Sequence, residues 1–130
     1  MGKITTLQLL DPLKVFLEYD TLHEVFVAQC LQTGHLVTAD DTETAKEMII
    51  ELLEEEVSRA FQQNDLSRLV AHPASMESRA KFELAALAKE PVVSTITVHG
   101  EIPQGLRLLI GQAEVATEIR IATGRVASAA

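Results

Sequence analysis

Four carboxylates near the expected ends of strands are the residues whose types and spacing could support catalysis. Glu18 and Asp20 close the first strand-like run, and Asp40 and Asp41 follow the third. Carboxylates gathered at strand ends can hold two metal ions in nucleases, so this pattern is the case for a metal-dependent nuclease. Three of the four also suit structural roles, because Asp20 is a turn former, whereas Asp40 and Asp41 fit the start of a helix. We favour the structural roles and expect no catalytic residue.

The histidines and the cysteine offer no second catalytic candidate. His23, His35, His72 and His99 show no i, i+4 pairing and no neighbouring cysteine, which a metal site on a helix would require. Cys30 lies in an apolar run with no histidine beside it, so we interpret it as a buried structural thiol rather than a nucleophile. The glycines form no phosphate-binding loop. We therefore expect no metal and no cofactor.

Two apolar runs of period two and a glycine turn predict a three-stranded antiparallel meander. The first run alternates over residues 13–19, the second resumes over 25–31, and residues 36–38 are long enough for a short third strand. A polar loop over residues 20–24 joins the first two strands. Gly34, in the turn before the third strand, is free to adopt a positive φ.

A long amphipathic helix is predicted after the meander. Asp40, Asp41 and Thr42 are good N-cap types, so the helix begins near Thr42. Apolar residues then recur at three- and four-residue spacings as far as Phe61, and they make one stripe that can lie across the sheet. A helix of twenty residues is about 30 Å long, which exceeds what a three-stranded sheet covers. We therefore expect a homo-oligomer, and a dimer in particular.

The rest of the chain completes the prediction of an α+β fold. Ser75 can cap a second helix near residues 75–89, and residues 92–98 read as a fourth strand that could join the meander. Beyond residue 99 the pattern is weaker: residues 106–115 could be a helix and residues 118–121 a strand. We divide the chain into a domain at residues 1–99 and a C-terminal arm of uncertain structure at residues 100–130, which could take part in oligomer contacts.

The acidic charge is concentrated in the first part of the chain. Residues 1–99 hold 8 Lys or Arg against 16 Asp or Glu, a net charge of −8, whereas residues 100–130 hold 3 of each. Such a surface repels nucleic acid and favours basic partners, although it also serves simply to keep a protein soluble. A single cysteine permits no intrachain disulfide and no apolar run approaches the ~18 residues of a membrane span, so we expect a cytoplasmic protein.

The junction between the third strand and the long helix resembles that of the HicB-like antitoxin family. This family commonly shows a Gly-Asp-Thr-x-Glu-Glu-Ala signature here, in a domain described as a partial RNase H fold. Asp41 and Thr42 match its Asp-Thr, Ala45 matches its Ala, and the turn ending at Gly34 occupies its Leu-Pro-Gly position. The departures are an aspartate at residue 40 where glycine is usual, a threonine at residue 44 where the second Glu is usual, and no proline beside the turn glycine. The resemblance covers residues 13–61.

The resemblance implies a non-catalytic inhibitor that binds a small basic toxin RNase and masks its active site. An acidic domain suits a basic, RNA-binding partner by electrostatic complementarity. The contact surface is then expected on the sheet face that the long helix leaves uncovered, or on the outer side of that helix. We call the latter the acidic helix face, and it consists of Glu47, Glu51, Glu54 and Glu55.

Two other functions remain open. The first is an orphan HicB-like oligomeric binding module without a toxin, and the second, more remote, is the metal-dependent nuclease. Many members of the family also carry a DNA-binding element at the C-terminus. Arg107, Arg120 and Arg125 are scattered and are balanced by acids, so we expect no DNA binding here.

Overall fold

A computed structural model of the protein describes residues 5–8, 12–63, 65–97 and 113–124. They form one mixed β-sheet with a helix packed on each face. In chain order the strands and helices are β1 (Thr5–Gln8), β2 (Leu13–Asp20), β3 (Val25–Cys30), β4 (Leu36–Ala39), α1 (Thr42–Gln62), a 3₁₀ turn (Leu66–Val70), α2 (Met76–Ala88), β5 (Val92–Thr97) and β6 (Ala113–Thr123).

The predicted antiparallel meander is confirmed in β2, β3 and β4. Asp20 pairs with Val25 across the first turn, and Val27 pairs with Thr38 between β3 and β4. Alternate side chains of each strand point to opposite faces, as in any pleated strand. Leu17 is fully buried on the face that α1 covers, whereas its neighbour Phe16 belongs to the second apolar cluster, on the face that α2 covers.

β6 lies in the interior of the sheet, where it pairs with three other strands. It runs parallel to β1 and β2 and antiparallel to β5. Ala116 pairs with both Gln8 and Thr97, and Ile121 pairs with both Val15 and Val92. Since β5 is continuous along one side of β6, β1 and β2 must share the other side. The sheet is therefore five positions wide. The order is β4, β3, β2, β6 and β5, and β1 shares the position of β2 beside β6.

The position of β6 corrects part of the C-terminal prediction. The strand expected over residues 118–121 is confirmed, but it extends over Ala113–Thr123, so residues 113–115 are not helical; residues 106–112 lie outside the described residues. The division after residue 99 does not separate two structural units here, because β6 pairs with β2 of the first part. The strand expected near residues 92–98 is β5, and among the described strands β6 connects it to the meander.

α1 begins and packs as its sequence predicts. The side chain of Asp41 accepts a hydrogen bond from the backbone N–H of Thr44 at 2.7 Å, which satisfies an N–H that the first helical turn leaves without an intrahelical partner. Ala45, Ile49 and Leu53 follow on the side facing the sheet and are fully buried. Each buried Ile or Leu side chain contributes roughly 1.5–3 kcal/mol, so this stripe fixes the helix on the sheet.

α2 covers only part of the opposite face of the sheet. Its N-terminus is capped by Ser75, as predicted, and its buried residue Phe82 belongs to a cluster with Phe16 of β2 and Ala122 of β6. The helix contacts β2 and β6, so no described helix covers the same face of β3 and β4. No helix within the described ranges combines the length and the apolar character that crossing a membrane requires.

Candidate functional site

The acidic helix face is a shallow, negatively charged surface along the outer side of α1. Glu47, Glu51 and Glu55 are exposed, whereas Glu54 is half-buried. Glu51, Glu54 and Glu55 line one concavity of about 410 Å³, and Glu47 lies one turn before it on the same side. The other lining residues that the structure describes are Ser58, Arg59 and Gln62. Carboxylates therefore outnumber cations on this surface.

Arg59 is the cation that partly compensates this charge. Its guanidinium donates to the carboxylate of Glu55 at 2.9 Å and to that of Glu56 at 3.0 Å. These are exposed ion pairs one helical turn apart, which stabilise a helix by only a few tenths of a kcal/mol. A basic group on a partner can compete for such carboxylates at low cost.

A second concavity, which we call the open sheet groove, lies on the face of β3 and β4 that α2 leaves uncovered. It measures about 700 Å³. Val25, Val27 and Leu36 give it an apolar floor, and Glu18 and Lys81 meet at its rim, where the ammonium lies 3.5 Å from the carboxylate. The remaining lining residues are Tyr19, Asp20, Thr21, His23, Gln29 and Thr38.

The sequence indicated that a sheet face would be uncovered, but not which strands it would contain. That depends on where α2 packs, and the packing of α2 on β2 and β6 is set by tertiary contacts of Phe82 rather than by a local pattern. The local feature related to this uncovered face is the unequal length of the two helices, because α2, with 13 residues, can cover less of the sheet than α1, with 21.

Asp20 is occupied by the turn that joins β2 to β3. One carboxylate oxygen accepts hydrogen bonds from the backbone N–H groups of Leu22 at 3.0 Å and His23 at 3.3 Å, and the other lies 2.7 Å from the Nδ1 atom of His23. The contact with the His23 ring, together with these backbone donors, lowers the pKa of Asp20 from its usual value. These contacts give Asp20 the turn-forming role that its sequence position indicates.

The four carboxylates that suggested a nuclease are not gathered at one point. β2 and β4 run in the same direction, so their C-terminal ends lie at the same end of the sheet. Because β3 lies between them, Asp20 and Asp40 are separated by two strand spacings, roughly 10 Å. Asp41 is the helix cap, and the backbone N–H of Thr44 lowers the pKa of its carboxyl group. Among the residues that the structure describes, no group of three or more His, Cys, Asp or Glu could hold a metal ion.

Cys30 and the histidines occupy separate environments. Cys30 is fully buried in β3, and this burial raises the pKa of its thiol, which fits a structural residue. His35 lies beside α1, with its Nε2 atom 4.0 Å from the Glu56 carboxylate and its buried Nδ1 atom without a hydrogen-bond partner in the described part of the chain. His72 is exposed in the loop before α2, and His99 lies outside the described residues.

The residues that carry the family resemblance each have a local structural role. Gly34 has a φ of +77° and begins a bulge in which its N–H donates to the carbonyl of Cys30. Asp41 caps α1, Thr42 is the first residue of the helix, and Ala45 is buried beneath it. These positions therefore shape the junction between β4 and α1.

Comparison of the chain with protein-family models, with curated proteins and with solved structures gives no match. The class that the structure itself defines is an α+β protein with a half-covered mixed sheet, an acidic helix face and an open sheet groove.

Proposed function

We propose that this chain is a non-catalytic antitoxin of the HicB-like type, which binds a small basic toxin RNase and masks its active site. The observation that carries the proposal is the acidic helix face, where Glu47, Glu51 and Glu55 are exposed on three successive turns of α1. An RNase must present cationic groups to hold RNA phosphates. Carboxylates spaced along a rigid helix can occupy those groups in place of the phosphates.

The open sheet groove, on the face of the sheet opposite α1, offers a second contact area, which is apolar. Charged pairs at the edge of an interface mainly raise the association rate, whereas a buried apolar centre slows dissociation. Val25, Val27 and Leu36 supply such a centre next to carboxylates at the rim. The apolar centre and the rim carboxylates of the groove would match a partner that presents an apolar residue between basic ones. We place the complex in the cytoplasm, which a chain with a single cysteine suits.

Co-expression with the product of the adjacent reading frame tests the proposal. If that product is a small basic protein, we expect a stable complex on affinity purification and relief of the growth arrest that the basic protein causes alone. Absence of a complex with such a product would overturn the antitoxin assignment and leave the orphan binding module. The nuclease alternative is tested separately by incubating the pure protein with RNA or DNA and Mn²⁺, where turnover would contradict a purely binding role.

A further inference from the structure

β4 is the outer strand of the sheet, and its backbone is open on one side. Among the described strands it pairs with β3 alone. The N–H of Cys30 donates to the carbonyl of His35 at 2.9 Å, and hydrogen-bonded pairs alternate along an antiparallel ladder. Val37 is therefore the next residue bonded to β3. The N–H and C=O groups of Leu36 and Thr38 point away from the sheet.

The open edge is only four residues long, but it lacks three other features by which natural sheets block an added strand: charged residues, proline and an internal bulge. Its sequence, Leu-Val-Thr-Ala, contains no charged residue and no proline, and the glycine bulge lies before the strand rather than within it. Leu36 is 51 % exposed. The edge of β4 is therefore a template on which an extended segment can pair.

Both faces beside this edge can receive the side chains of an added strand. On one face lies the open sheet groove, to which Leu36 and Thr38 contribute. On the other face lies α1, and Glu56 of this helix approaches His35, the residue before β4. Met48, two turns before Glu56 on the same side of α1, is 40 % exposed. Alternate side chains of an added strand would thus meet apolar atoms on either face.

The charges around the edge decide which occupant fits. Asp40 and Asp41 follow β4 directly, and Glu56, which is paired with Arg59, lies near its start beside His35. Pairing of β4 with a second copy would bring these carboxylates toward one another, which disfavours self-association at this edge. A basic strand is attracted to this edge instead, because its cations would lie beside carboxylates at both ends of β4.

We propose that the β4 edge binds an extended, basic segment of the partner protein, which extends the sheet by one strand. The inference rests on the proposed function for the nature of the partner, and it adds the site and the mode of binding. Main-chain hydrogen bonds to Leu36 and Thr38 supply the pairing, and the groove selects the alternate side chains.

Thr38→Pro tests the pairing directly. It removes an outward N–H without removing a hydrogen bond to β3, and edge strands tolerate proline at such positions. Thr38→Val is the matched control, because it keeps the N–H and nearly the same side-chain shape. With a decapeptide of alternating Lys and Val as the probe at low salt, we expect Thr38→Pro to weaken binding by about tenfold or more and Thr38→Val to change it by less than about twofold. Bound peptide should also slow amide hydrogen exchange at Leu36 and Thr38 of the wild-type protein.

The outcomes separate this inference from the proposed function. If Thr38→Pro binds the peptide and the adjacent gene product as well as wild type, or if the two amides exchange at the same rate with and without peptide, strand addition at β4 is wrong while antitoxin binding stands. If the wild type binds neither the peptide nor the adjacent gene product, strand addition at β4 and the proposed function are both wrong. A dimer that Thr38→Pro dissociates would make a second copy the occupant and overturn the inference. Should Thr38→Pro not fold, the exchange measurement on the wild type decides alone.

Discussion

A side chain at Gly34 would collide with the backbone of His72, since its first carbon would lie 2.0 Å from the His72 carbonyl oxygen. The two residues are held together because the N–H of Ala74 donates to the carbonyl of Leu31 at 2.8 Å. The turn between β3 and β4 is thereby packed against the loop that leads into α2. This contact positions α2 beside the open sheet groove, so the glycine affects the site as well as the turn.

Gly34→Ala should be strongly destabilising. Alanine must adopt a positive φ and its methyl group must displace backbone rather than a movable side chain, which together cost about 2–4 kcal/mol in the free energy of unfolding. Urea denaturation measures this cost. Gly124→Ala is the comparison, because this residue has no positive φ and its methyl group would meet the end of the buried Phe16 ring, at 2.5 Å, rather than backbone, so we expect a smaller loss. Equal losses in the two variants would contradict this reading of Gly34.

Asp41→Ala should lower the thermal midpoint by about 4 °C, through loss of the helix cap. Asp40→Ala, one residue earlier and without a capping contact, should change the midpoint by less than about 1 °C. The folded state lowers the pKa of Asp41 below its usual 3.8, so its carboxylate stabilises the fold above that pH and this contribution is lost as the pH falls through the folded pKa. The gap between wild type and Asp41→Ala should therefore close below about pH 3.8, and a gap that widens there would refute the assignment.

Reversal of charge on the acidic helix face should slow capture of a basic partner. Replacing Glu51 and Glu55 with Lys should lower the association rate by about tenfold at low salt, with a smaller effect on dissociation, because exposed charges act mainly by steering. Stopped-flow association with the co-purified partner measures both rates. The control replaces Glu77 and Glu90, two exposed acids outside this face, with Lys, which gives the same change in net charge. An equal slowing in this control would remove the helix face from the interface.

Ile119→Ala should destabilise the protein by about 2–5 kcal/mol, since the side chain is fully buried in the main core. Val93→Ala, on the neighbouring strand, should cost less than about 1 kcal/mol because Val93 is 55 % exposed. Chemical denaturation of both variants compares them directly. A small loss for Ile119→Ala would mean that β6 is not part of the core.

Local patterns were sufficient to predict the meander and both helices. The alternation before Asp20, the cap at Asp41 and the cap at Ser75 each report on neighbours within a few residues in sequence. The pairing of β6 with β2 joins residues about a hundred positions apart, and nothing in the alternation of Ile119 and Ile121 identifies that partner. The sequence likewise predicted the acidic helix face, whereas the open sheet groove depends on where Phe82 packs.

The placement of β6 has a consequence for the order of folding during synthesis. β1 and β5 pair with no described strand other than β6, and β2 has only β3 on its other side. Until the residues of β6 leave the ribosome, the meander and α1 can form, but β2 exposes an unpaired edge. The nascent chain therefore presents two edges for pairing, at β2 and β4, and the arrival of β6 closes the first. Once β6 has paired with β2, β4 is the one of these two edges that can still pair with another strand.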